Sequence, residues 1–585
     1  MKKNLLMLCF LACAIVGRAV KADPTPVVFV QPDGTQLTVF QHGDEHFSWQ
    51  TTIDGVLLTQ VGRAFYVARV EKNGELKASA MLAHETNARS MAERRLIRAQ
   101  RPERFYAVAE KQEHRKIGIG SPWVAYFPHT GTPKVLTILV QFSDTTFSSP
   151  NPQRSFNDFF NATGVMPNYT LNEQRNHGSV GRYFNEMSGG KFKPQFDVVG
   201  PVTLNKPSAY YGHDEGSFKD SRIDELIRDA SSAVNSQVNF GDYDSNNDGY
   251  VDLVMIVYAG YSQGSSGNRD DIWPKAGMGS SFQIGGKTIN RYCVTSELNY
   301  SPTRKFQSPP NKRISGIGLA CHEFSHTMGL PDFYPYNAGA QINNQAMEYW
   351  DLMDNGEYTD NGYTPTPYTP WEKEVMGWQQ IQTLSDTPAA VTLQSGEARK
   401  VNSANEGEYL ILHNIQNTGW ASKMRGHGLL VYRVDYGLTE VNMNDHVNDF
   451  PGRPGMTIVP ADGLLITAYD VKTSGNPNGH YTSNEFLDSH AGDPFPGTSG
   501  VNSLTNVTLN KSTLQKPILN INEDVSTGVI TFNFLNNTPS GIDNTTIEKF
   551  DNNRFYTLDG RFVGFDSSVL PKGIYIRGNK KFVKK

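Results

Sequence analysis

The chain contains little cysteine. Of its 4 Cys, Cys9 and Cys13 lie in an N-terminal segment that is predicted to be removed, which leaves Cys293 and Cys321. Two cysteines cannot supply a disulfide framework for a chain of this length. They either form one bridge or remain two buried thiols, and both alternatives stay open from the sequence.

An excess of charge of either sign is also absent. The 585 residues carry a formal net charge of -5, whereas an extended nucleic-acid-binding surface normally shows a basic excess. Aromatic residues make up 11% and charged residues 19%, a composition that excludes a disordered chain. The length exceeds what one compact core usually holds, so several domains are expected.

Long apolar runs occur only at the start of the chain, which excludes a polytopic membrane protein. Two lysines precede the apolar segment Leu5 to Val16, which is too short to span a bilayer, and cleavage is expected after Ala22. Residues 1–22 are therefore predicted to be a secretory signal peptide. An uncleaved membrane anchor is the alternative.

Composition and periodicity divide the rest of the chain into four blocks. Residues 23–115 hold short apolar stretches between turn signals, followed by an Arg-rich helix over 86–101. Residues 116–380 alternate helices with buried strands, which predicts an α/β (α+β) domain. Residues 381–537 show strand and turn patterns only and predict an all-β region, and 538–585 combine a polar linker with a short module.

Three segments of the second block give its clearest local structure. The apolar runs Lys134 to Phe142 and Leu253 to Ala259 are rich in branched residues and predict buried strands. Ser179 to Met187 predicts a helix with Ser179 as its N-cap.

The strongest chemical signal is the sequence CHEFSHTMGLPDFY at residues 321–334. His322 and His326 are four residues apart, so on a helix both imidazoles project from one face and can share a Zn²⁺ ion. Glu323 follows the first ligand and can reach the attacking water without binding the metal. The structural alternative is a core helix whose two histidines are hydrogen-bonded within the protein.

A turn after this helix supplies the third ligand. Gly329 can adopt a left-handed conformation that ends the helix, and the chain then brings Asp332 back toward the histidines. Three protein ligands leave the fourth zinc position for water, as in catalytic zinc sites. Zinc makes such a water acidic, and Glu323 would take its proton and pass it to the leaving amine. The predicted reaction is hydrolysis of a polypeptide amide bond.

The pattern HExxHxxGxxD and the wording GLPDFY at Gly329 to Tyr334 resemble the M6 family of secreted metallopeptidases, the immune-inhibitor-A-like enzymes of the metzincin clan. The resemblance implies a metzincin-like catalytic domain and polypeptide substrates. It also implies a methionine turn at Trp350 to Asp354, with Met353 beneath the zinc. An ordinary core methionine is the alternative for Met353. Residues 23–115 resemble the pro-domain of such enzymes, which implies a zymogen.

A second candidate metal site is the sequence DYDSNNDGYVD. Side-chain oxygens at alternate positions, followed by Gly249, resemble the start of an EF-hand calcium loop. Met255 stands where the bidentate Glu is expected, so this is not a true EF-hand. The candidate Ca²⁺ ligands are Asp242, Asp244, Asn246, Asp248 and Asp252. A polar turn without an ion is the alternative.

The last block, residues 538–585, resembles the C-terminal sorting domain of the type IX secretion system. The resemblance is carried by Phe555 to Arg561 and Leu570 to Ile576. It implies export across an outer membrane by a secretion machinery, with release or attachment at the cell surface. A small β module of an adhesin is the alternative.

Together these patterns predict a secreted zinc endopeptidase that is made as a zymogen. One alternative is a surface adhesin or glycan-binding protein on a metallopeptidase scaffold, in which exposed aromatics of residues 381–537, such as Trp420, bind the ligand. Another is a zinc-dependent enzyme that acts on a non-protein amide. The presence of Glu323 favours the endopeptidase over an inactive scaffold.

Overall fold

The structure is a computed structural model that describes residues 16–18, 26–43, 48–62, 64–106, 126–164, 175–215, 219–299, 313–405, 407–435, 447–472, 479–535, 555–557, 562–564, 567–577 and 580–584. The predicted polar linker, most of the predicted signal peptide and the end of the basic stretch after the N-terminal helix lie outside these residues. Within the described ranges, none of the helices combines the length and the apolar character needed to cross a membrane.

The N-terminal block is a six-stranded antiparallel sheet in which each strand pairs with the next one along the chain. Gly34, Gly55 and Gly74 have φ angles of 84°, 78° and 83°, as the predicted tight turns require. Helix α1 follows and begins at Met91, where Ser90 accepts a hydrogen bond from the Glu93 amide. It is shorter than predicted. The elements are β2 Val27–Val30, β3 Gln36–Gly43, β4 Ser48–Thr52, β5 Leu57–Val61, β6 Ala64–Val70, β7 Leu76–Leu82 and α1 Met91–Ala99.

The central sheet has seven strands in the order β1-β11-β12-β10-β8-β9, with β13 also paired to β12. Strands β9, β8, β10 and β12 run parallel, and β11 is antiparallel to β12. The two predicted buried strands are confirmed as β8 and β10. The strands are β1 Val16–Arg18, β8 Lys134–Gln141, β9 Gln195–Thr203, β10 Val254–Tyr261, β11 Lys275–Ile284, β12 Lys287–Asn299 and β13 Arg313–Ile314.

Helices cover both faces of this sheet, as expected for an α/β block. The predicted N-cap is confirmed, since the Ser179 hydroxyl accepts from the Arg182 amide at 3.0 Å. The helices are α2 Pro152–Asn161, α3 Val180–Met187, α4 Ser208–Gly212, α5 Ile223–Val234, α6 Gln263–Ser266, α7 Ile317–Thr327, α8 Ala338–Asn343 and α9 Pro370–Val375, with 3₁₀ turns at Phe240–Tyr243, Glu348–Trp350 and Asn355–Gly362.

The region after α9 is built around a five-stranded sheet, in the order β14-β16-β17-β18-β19, and a three-stranded sheet, in the order β15-β23-β22. Its strands are β14 Gln382–Thr383, β15 Ala389–Leu393, β16 Ala398–Asn402, β17 Glu408–Ile415, β18 Gly428–Asp435, β19 Met456–Ile458, β20 Val507–Thr508, β21 Thr513–Leu514, β22 Ile518–Asp524 and β23 Val529–Phe534.

This region is not purely β, contrary to the prediction. It contains helix α10 (Ser483–Gly492) and 3₁₀ turns at Gly419–Lys423 and Ala468–Asp470. The helix begins with a capping box in which Thr482 and Glu485 satisfy each other's backbone amides. This short local signal was present in the sequence but stood in a segment dominated by turn residues.

The catalytic and β-rich regions share one buried core. Ile411, Tyr432 and Met456 of the five-stranded sheet belong to the same hydrophobic cluster as Phe324 of α7 and Met353. The β-rich region therefore contributes to the same core as the zinc-motif helix and is not a separate appendage.

The C-terminal segment forms a small antiparallel sheet in the order β25-β24-β26-β27. Phe555, Leu570 and Tyr575 are its buried core. Its strands are β24 Phe555–Tyr556, β25 Phe562–Gly564, β26 Gly573–Arg577 and β27 Lys580–Lys584.

Candidate metal centre

Helix α7 carries the zinc motif through the interior of the protein. Leu319 is the only residue of this helix that is partly exposed, and the others are buried. This is typical of a helix that is surrounded by other parts of the protein. Gly318 allows close packing, because a Cβ atom there would lie 2.0 Å from the carbonyl oxygen of Glu357. At the other end, the backbone amides of Tyr126 and Phe127 both donate to the Thr327 carbonyl at 3.1 Å. The helix is thus fixed at both ends.

The two histidines are oriented by backbone carbonyls. Nδ1 of His322 lies 3.1 Å from the Leu352 oxygen, and Nδ1 of His326 lies 2.8 Å from the Leu330 oxygen. A carbonyl can only accept, so each Nδ1 carries the proton and donates it. Each Nε2 of a neutral imidazole is then left with a lone pair, as a metal-binding histidine requires.

Three potential ligand atoms converge at one point. The two Nε2 atoms lie 3.1 Å apart, and Oδ1 of Asp332 lies 3.1 Å from His322 Nε2 and 3.3 Å from His326 Nε2. Donors placed about 2.0–2.1 Å from a tetrahedral zinc ion are separated by about 3.3 Å. The triangle therefore fits zinc in size. It also fits in chemistry, because three electron-pair donors face one another and need a shared cation.

This triad is the one group of at least three His, Cys, Asp or Glu side chains with metal-binding spacing among the described residues. The structure thus brings together His322, His326 and Asp332, the three residues that the sequence proposed as zinc ligands. The helix supplies the histidines, and Gly329, with a φ angle of 99°, turns the chain back toward them.

Asp332 has a partner that the sequence analysis missed. The Tyr336 hydroxyl donates to Oδ2 of Asp332, which leaves Oδ1 directed at the histidines. Burial by itself would raise the pKa of Asp332, but the adjacent imidazoles hold it well below its usual range. The carboxylate is therefore ionised and available as a ligand.

Carboxylates also surround His322. Burial favours the neutral imidazole, yet the charges of Glu357, Asp332 and Glu323 raise the pKa of His322 well above its ordinary value. Oε2 of Glu357 lies 3.8 Å from His322 Nδ1. The carboxyl groups of Glu357, Asp332 and Glu323 therefore favour a positive charge at His322, whether it comes from a proton or from a metal ion.

Glu323 and Met353 are both fully buried. Glu323 follows His322 on α7, and its charge contributes to the raised pKa of that histidine. The Met353 amide donates to Asp351 at 2.7 Å, and its carbonyl accepts from the Phe333 amide at 2.9 Å. This places the Trp350 to Asp354 segment against the His322 side. The roles of Glu323 as base and Met353 as methionine turn remain predictions.

The whole site is closed to solvent in this chain. His322, Glu323 and His326 have 0% exposure, and Asp332 has 2%. All four side chains therefore lie beneath other parts of the chain in this conformation.

The N-terminal sheet contacts the catalytic region at the turn after α6. Gln50 donates to the Gly267 carbonyl, and Gln60 donates to the Asn268 side chain at 3.1 Å. Gln60 also accepts from the Arg269 amide at 3.4 Å. In each of these three hydrogen bonds one partner is a glutamine side chain of the N-terminal sheet.

The acidic side chains of the predicted calcium loop accept hydrogen bonds from neighbouring groups of the protein. Asp244 accepts hydrogen bonds from the amides of Asp248 and Gly249, both at 3.0 Å, and from the ammonium group of Lys287 at 2.5 Å. Burial opposes ionisation of Asp244, but these partners lower its pKa. Asp252 accepts from the Ser245 amide at 2.9 Å. These contacts favour the polar-turn alternative and do not support calcium.

The other calcium candidates have local partners as well. Asn246 donates to Asp248 at 3.1 Å, and Asn239 donates to Asp242 at 2.8 Å. The sequence could not reveal Lys287, which lies on β12, 43 residues away from Asp244.

Both retained cysteines are buried free thiols, so the alternative of one disulfide bridge is wrong. Burial raises the pKa of Cys293 and Cys321 well above the ordinary value for a thiol. They are poor nucleophiles in that state and belong to the hydrophobic core.

Trp420 is not an exposed ligand-binding aromatic. It is 4% exposed, and its indole nitrogen donates to Glu186 of α3 at 2.7 Å. Its ring lies 4.7 Å from that of His177 and 5.0 Å from that of Tyr183, between centroids. Trp420 therefore joins the β-rich region to the catalytic region. This removes its support for the adhesin alternative.

Comparison with known proteins agrees with the site. The chain is 25% identical over 275 residues to "Immune inhibitor A" of Bacillus thuringiensis subsp. alesti, covering 41% of this chain and 39% of that protein. It is 25% identical over 230 residues to "Pre-pro-metalloprotease PrtV" of Vibrio cholerae, covering 36% and 24%. A "Putative secreted metallopeptidase" of Arthroderma benhamiae is 23% identical over 261 residues, covering 40% and 36%.

These alignments span well under half the length of each relative. Residues 125–382 match the family described as "Immune inhibitor A peptidase M6, catalytic domain", and this range contains the His-His-Asp triad. The comparisons therefore support an immune inhibitor A-like M6 metallopeptidase domain in residues 125–382 of this chain.

Proposed function

We propose that this protein is a secreted zinc endopeptidase that is synthesised as a zymogen. The observation that carries the proposal is the triangle of His322 Nε2, His326 Nε2 and Asp332 Oδ1, with separations of 3.1 to 3.3 Å. It lies within the segment that matches the metallopeptidase family. Polypeptides are the proposed substrates.

In the proposed reaction each residue has a separate task. His322, His326 and Asp332 would hold the zinc ion, which when bound makes water acidic and polarises a substrate carbonyl. The Glu323 carboxylate would accept the proton of the attacking water and deliver it to the amine leaving group. Its buried setting excludes bulk water, which strengthens these electrostatic effects.

Latency is proposed on two grounds. The four site residues are closed to solvent in the chain that includes the N-terminal sheet. The name of one relative describes a pre-pro-metalloprotease. We propose that residues 23–115 act as the pro-domain and that cleavage in the basic stretch before residue 126 opens the site.

Secretion is proposed from the predicted signal peptide and from a relative whose name describes a secreted metallopeptidase. The four-stranded sheet of β24 to β27 is the proposed sorting module for outer-membrane export, where it would contact the secretion machinery. Deletion of residues 538–585 should then retain the protein in the periplasm, with its fold intact. Normal export of the deleted form would contradict the sorting proposal alone.

The function is tested with the zinc-loaded full chain after brief treatment with trypsin, which is then inactivated with a covalent serine-protease inhibitor. We expect cleavage of labelled casein that is abolished by 1,10-phenanthroline and restored by added zinc. The 1,7-isomer, which cannot chelate, is the matched control. Casein cleavage that persists in the chelated sample would contradict a zinc mechanism.

A further inference from the structure

We infer that Tyr336 and Asp449 are positioning residues for the zinc ligand Asp332, so that the β-rich region sets the geometry of the metal centre. The inference rests on the proposed zinc function and deepens it. It starts from a difference between the ligands: the two histidines lie on a rigid helix, whereas Asp332 lies in a connecting segment after α7.

The first step is the contact between Tyr336 and Asp332. The phenol donates to Oδ2 of Asp332, while Oδ1 points to both Nε2 atoms. A carboxylate that is held through one oxygen presents the other in a fixed direction, as in other metal sites whose ligands are oriented by outer hydrogen bonds. Tyr336 is 6% exposed, so solvent does not replace this contact.

The second step is the anchor of Tyr336 itself. Oδ1 of Asp449 accepts from the backbone amide of Tyr336 and, at 3.1 Å, from that of Asn337. Two adjacent amides on one carboxylate oxygen fix the backbone from which the phenol projects. Asp449 is buried, with 5% exposure, and is 113 residues away from Tyr336 along the chain.

The third step connects this anchor to the β-rich region. Neighbouring Asn448 donates to the Phe333 carbonyl at 2.6 Å and accepts from the amide of Met456, the first residue of β19, at 3.1 Å. The Asn344 side chain donates to the carbonyls of Asn448 and Phe450, both at 2.8 Å. Residues 447–450 are therefore fixed to the five-stranded sheet on one side and to the ligand segment on the other.

A positioning role of Asp449 can be distinguished from a general role in folding. The ligand segment has other anchors, including the hydrogen bond from Phe333 to the Met353 carbonyl at 2.9 Å. Loss of Asp449 should therefore leave the protein folded but allow Asp332 to move. A more mobile third ligand weakens zinc binding and changes the coordination geometry.

The test measures zinc affinity of the full chain by competition with a chromophoric chelator, with melting temperature recorded for each variant. We expect Tyr336→Phe and Asp449→Ala to weaken zinc binding by about 10-fold to 100-fold, the usual effect of removing an outer hydrogen bond from a metal ligand. Asp449→Asn keeps an acceptor oxygen and should restore affinity close to that of the parent. Glu186→Ala, which removes the acceptor of a different contact between the same two regions, the hydrogen bond from Trp420, is the matched control and should bind zinc normally.

A second readout is the visible absorption of the Co²⁺-substituted protein, which reports the ligand geometry. Its bands should shift in Tyr336→Phe and Asp449→Ala but not in Glu186→Ala. Zinc affinity within twofold of the parent in folded Asp449→Ala, or an equal loss in Glu186→Ala, would overturn the inference while leaving the proposed function intact. If Asp449→Ala does not fold, Tyr336→Phe decides by the same criterion. Failure of the parent chain to bind zinc would overturn both.

Discussion

The indole nitrogen of Trp420, in the β-rich region, donates a 2.7 Å hydrogen bond to Glu186 of helix α3. This contact lies at the edge of a hydrophobic cluster that includes residues of both regions. One hydrophobic cluster of the catalytic region is thus shared with the strands that follow it, whereas a second cluster contains only residues of the catalytic region.

The shared core predicts that the two regions unfold together. Trp420→Ala should lower the free energy of unfolding by about 3–5 kcal/mol, the usual cost of removing a buried aromatic side chain. Urea denaturation followed by circular dichroism measures this change, and Trp420→Phe is the milder control. A separate unfolding transition of the β-rich region, with the catalytic region still folded, would contradict the shared core.

A buried pair of carboxyl groups beneath the site predicts a pH dependence of stability. Asp351 and Glu372 are both fully buried, and each contributes to the shift in the other's pKa. Burial, followed by the charge of Glu372, raises the pKa of Asp351 well above its usual range. Burial also raises the pKa of Glu372 to about 7.

The direction of this pH dependence follows from the number of protons bound by the folded and the unfolded chain. Between about pH 4 and pH 7 the folded protein holds protons on this pair that the unfolded chain has released, so the free energy of unfolding falls as pH rises. In Asp351→Asn the side-chain amide can still donate to Glu372 but does not titrate. The free energy of unfolding of this variant should therefore fall less steeply as pH rises. Urea denaturation of parent and variant at pH 5.5 and pH 8 makes the comparison. Equal pH dependence in both would show that the pair does not share a proton.

The loop of Asp242 to Asp252 should be insensitive to calcium. Lys287 and two backbone amides already donate hydrogen bonds to the Asp244 carboxylate. Millimolar Ca²⁺ should therefore not change the melting temperature. Lys287→Met should destabilise the protein, since the Asp244 carboxylate loses its cationic partner. A Ca²⁺-dependent rise in melting temperature that Asp244→Ala abolishes would instead restore the calcium interpretation.

Closure of the site predicts latency of the intact chain. With His322, Glu323 and His326 fully buried, casein cleavage should be undetectable before processing and should appear with cleavage before residue 126. Gel electrophoresis and N-terminal sequencing of the same samples identify the activating cut. The combined variant Gln50→Ala and Gln60→Ala weakens the docking of the N-terminal sheet and should speed activation. Full activity of the uncut chain would contradict the zymogen proposal.

The parts of the site that the sequence revealed are local. His322 and His326 are one helical turn apart, and Gly329 and Asp332 follow within the same short segment, so spacing alone brings them together. The buried strands β8 and β10 were equally clear because apolar side chains continue along their whole length.

The parts that the sequence did not reveal depend on distant contacts. Asp449 reaches Tyr336 across 113 residues, and no local pattern marks either residue. The ammonium group of Lys287 donates to Asp244 in the segment that resembled a calcium loop, although Lys287 lies 43 residues away along the chain. The adhesin alternative needs an exposed Trp420, whereas packing against Glu186, His177 and Tyr183 of the catalytic region buries this side chain.

The central claim is that Glu323 moves the proton in a hydrolysis carried out at the His322, His326 and Asp332 site. The most direct measurement is the casein cleavage rate of processed Glu323→Gln, with its zinc content determined on the same sample. We expect one zinc per chain, as in the parent, and a rate lower by about 10²-fold to 10⁴-fold, the usual contribution of a general base. Cleavage at the parental rate by the zinc-loaded variant would contradict the account.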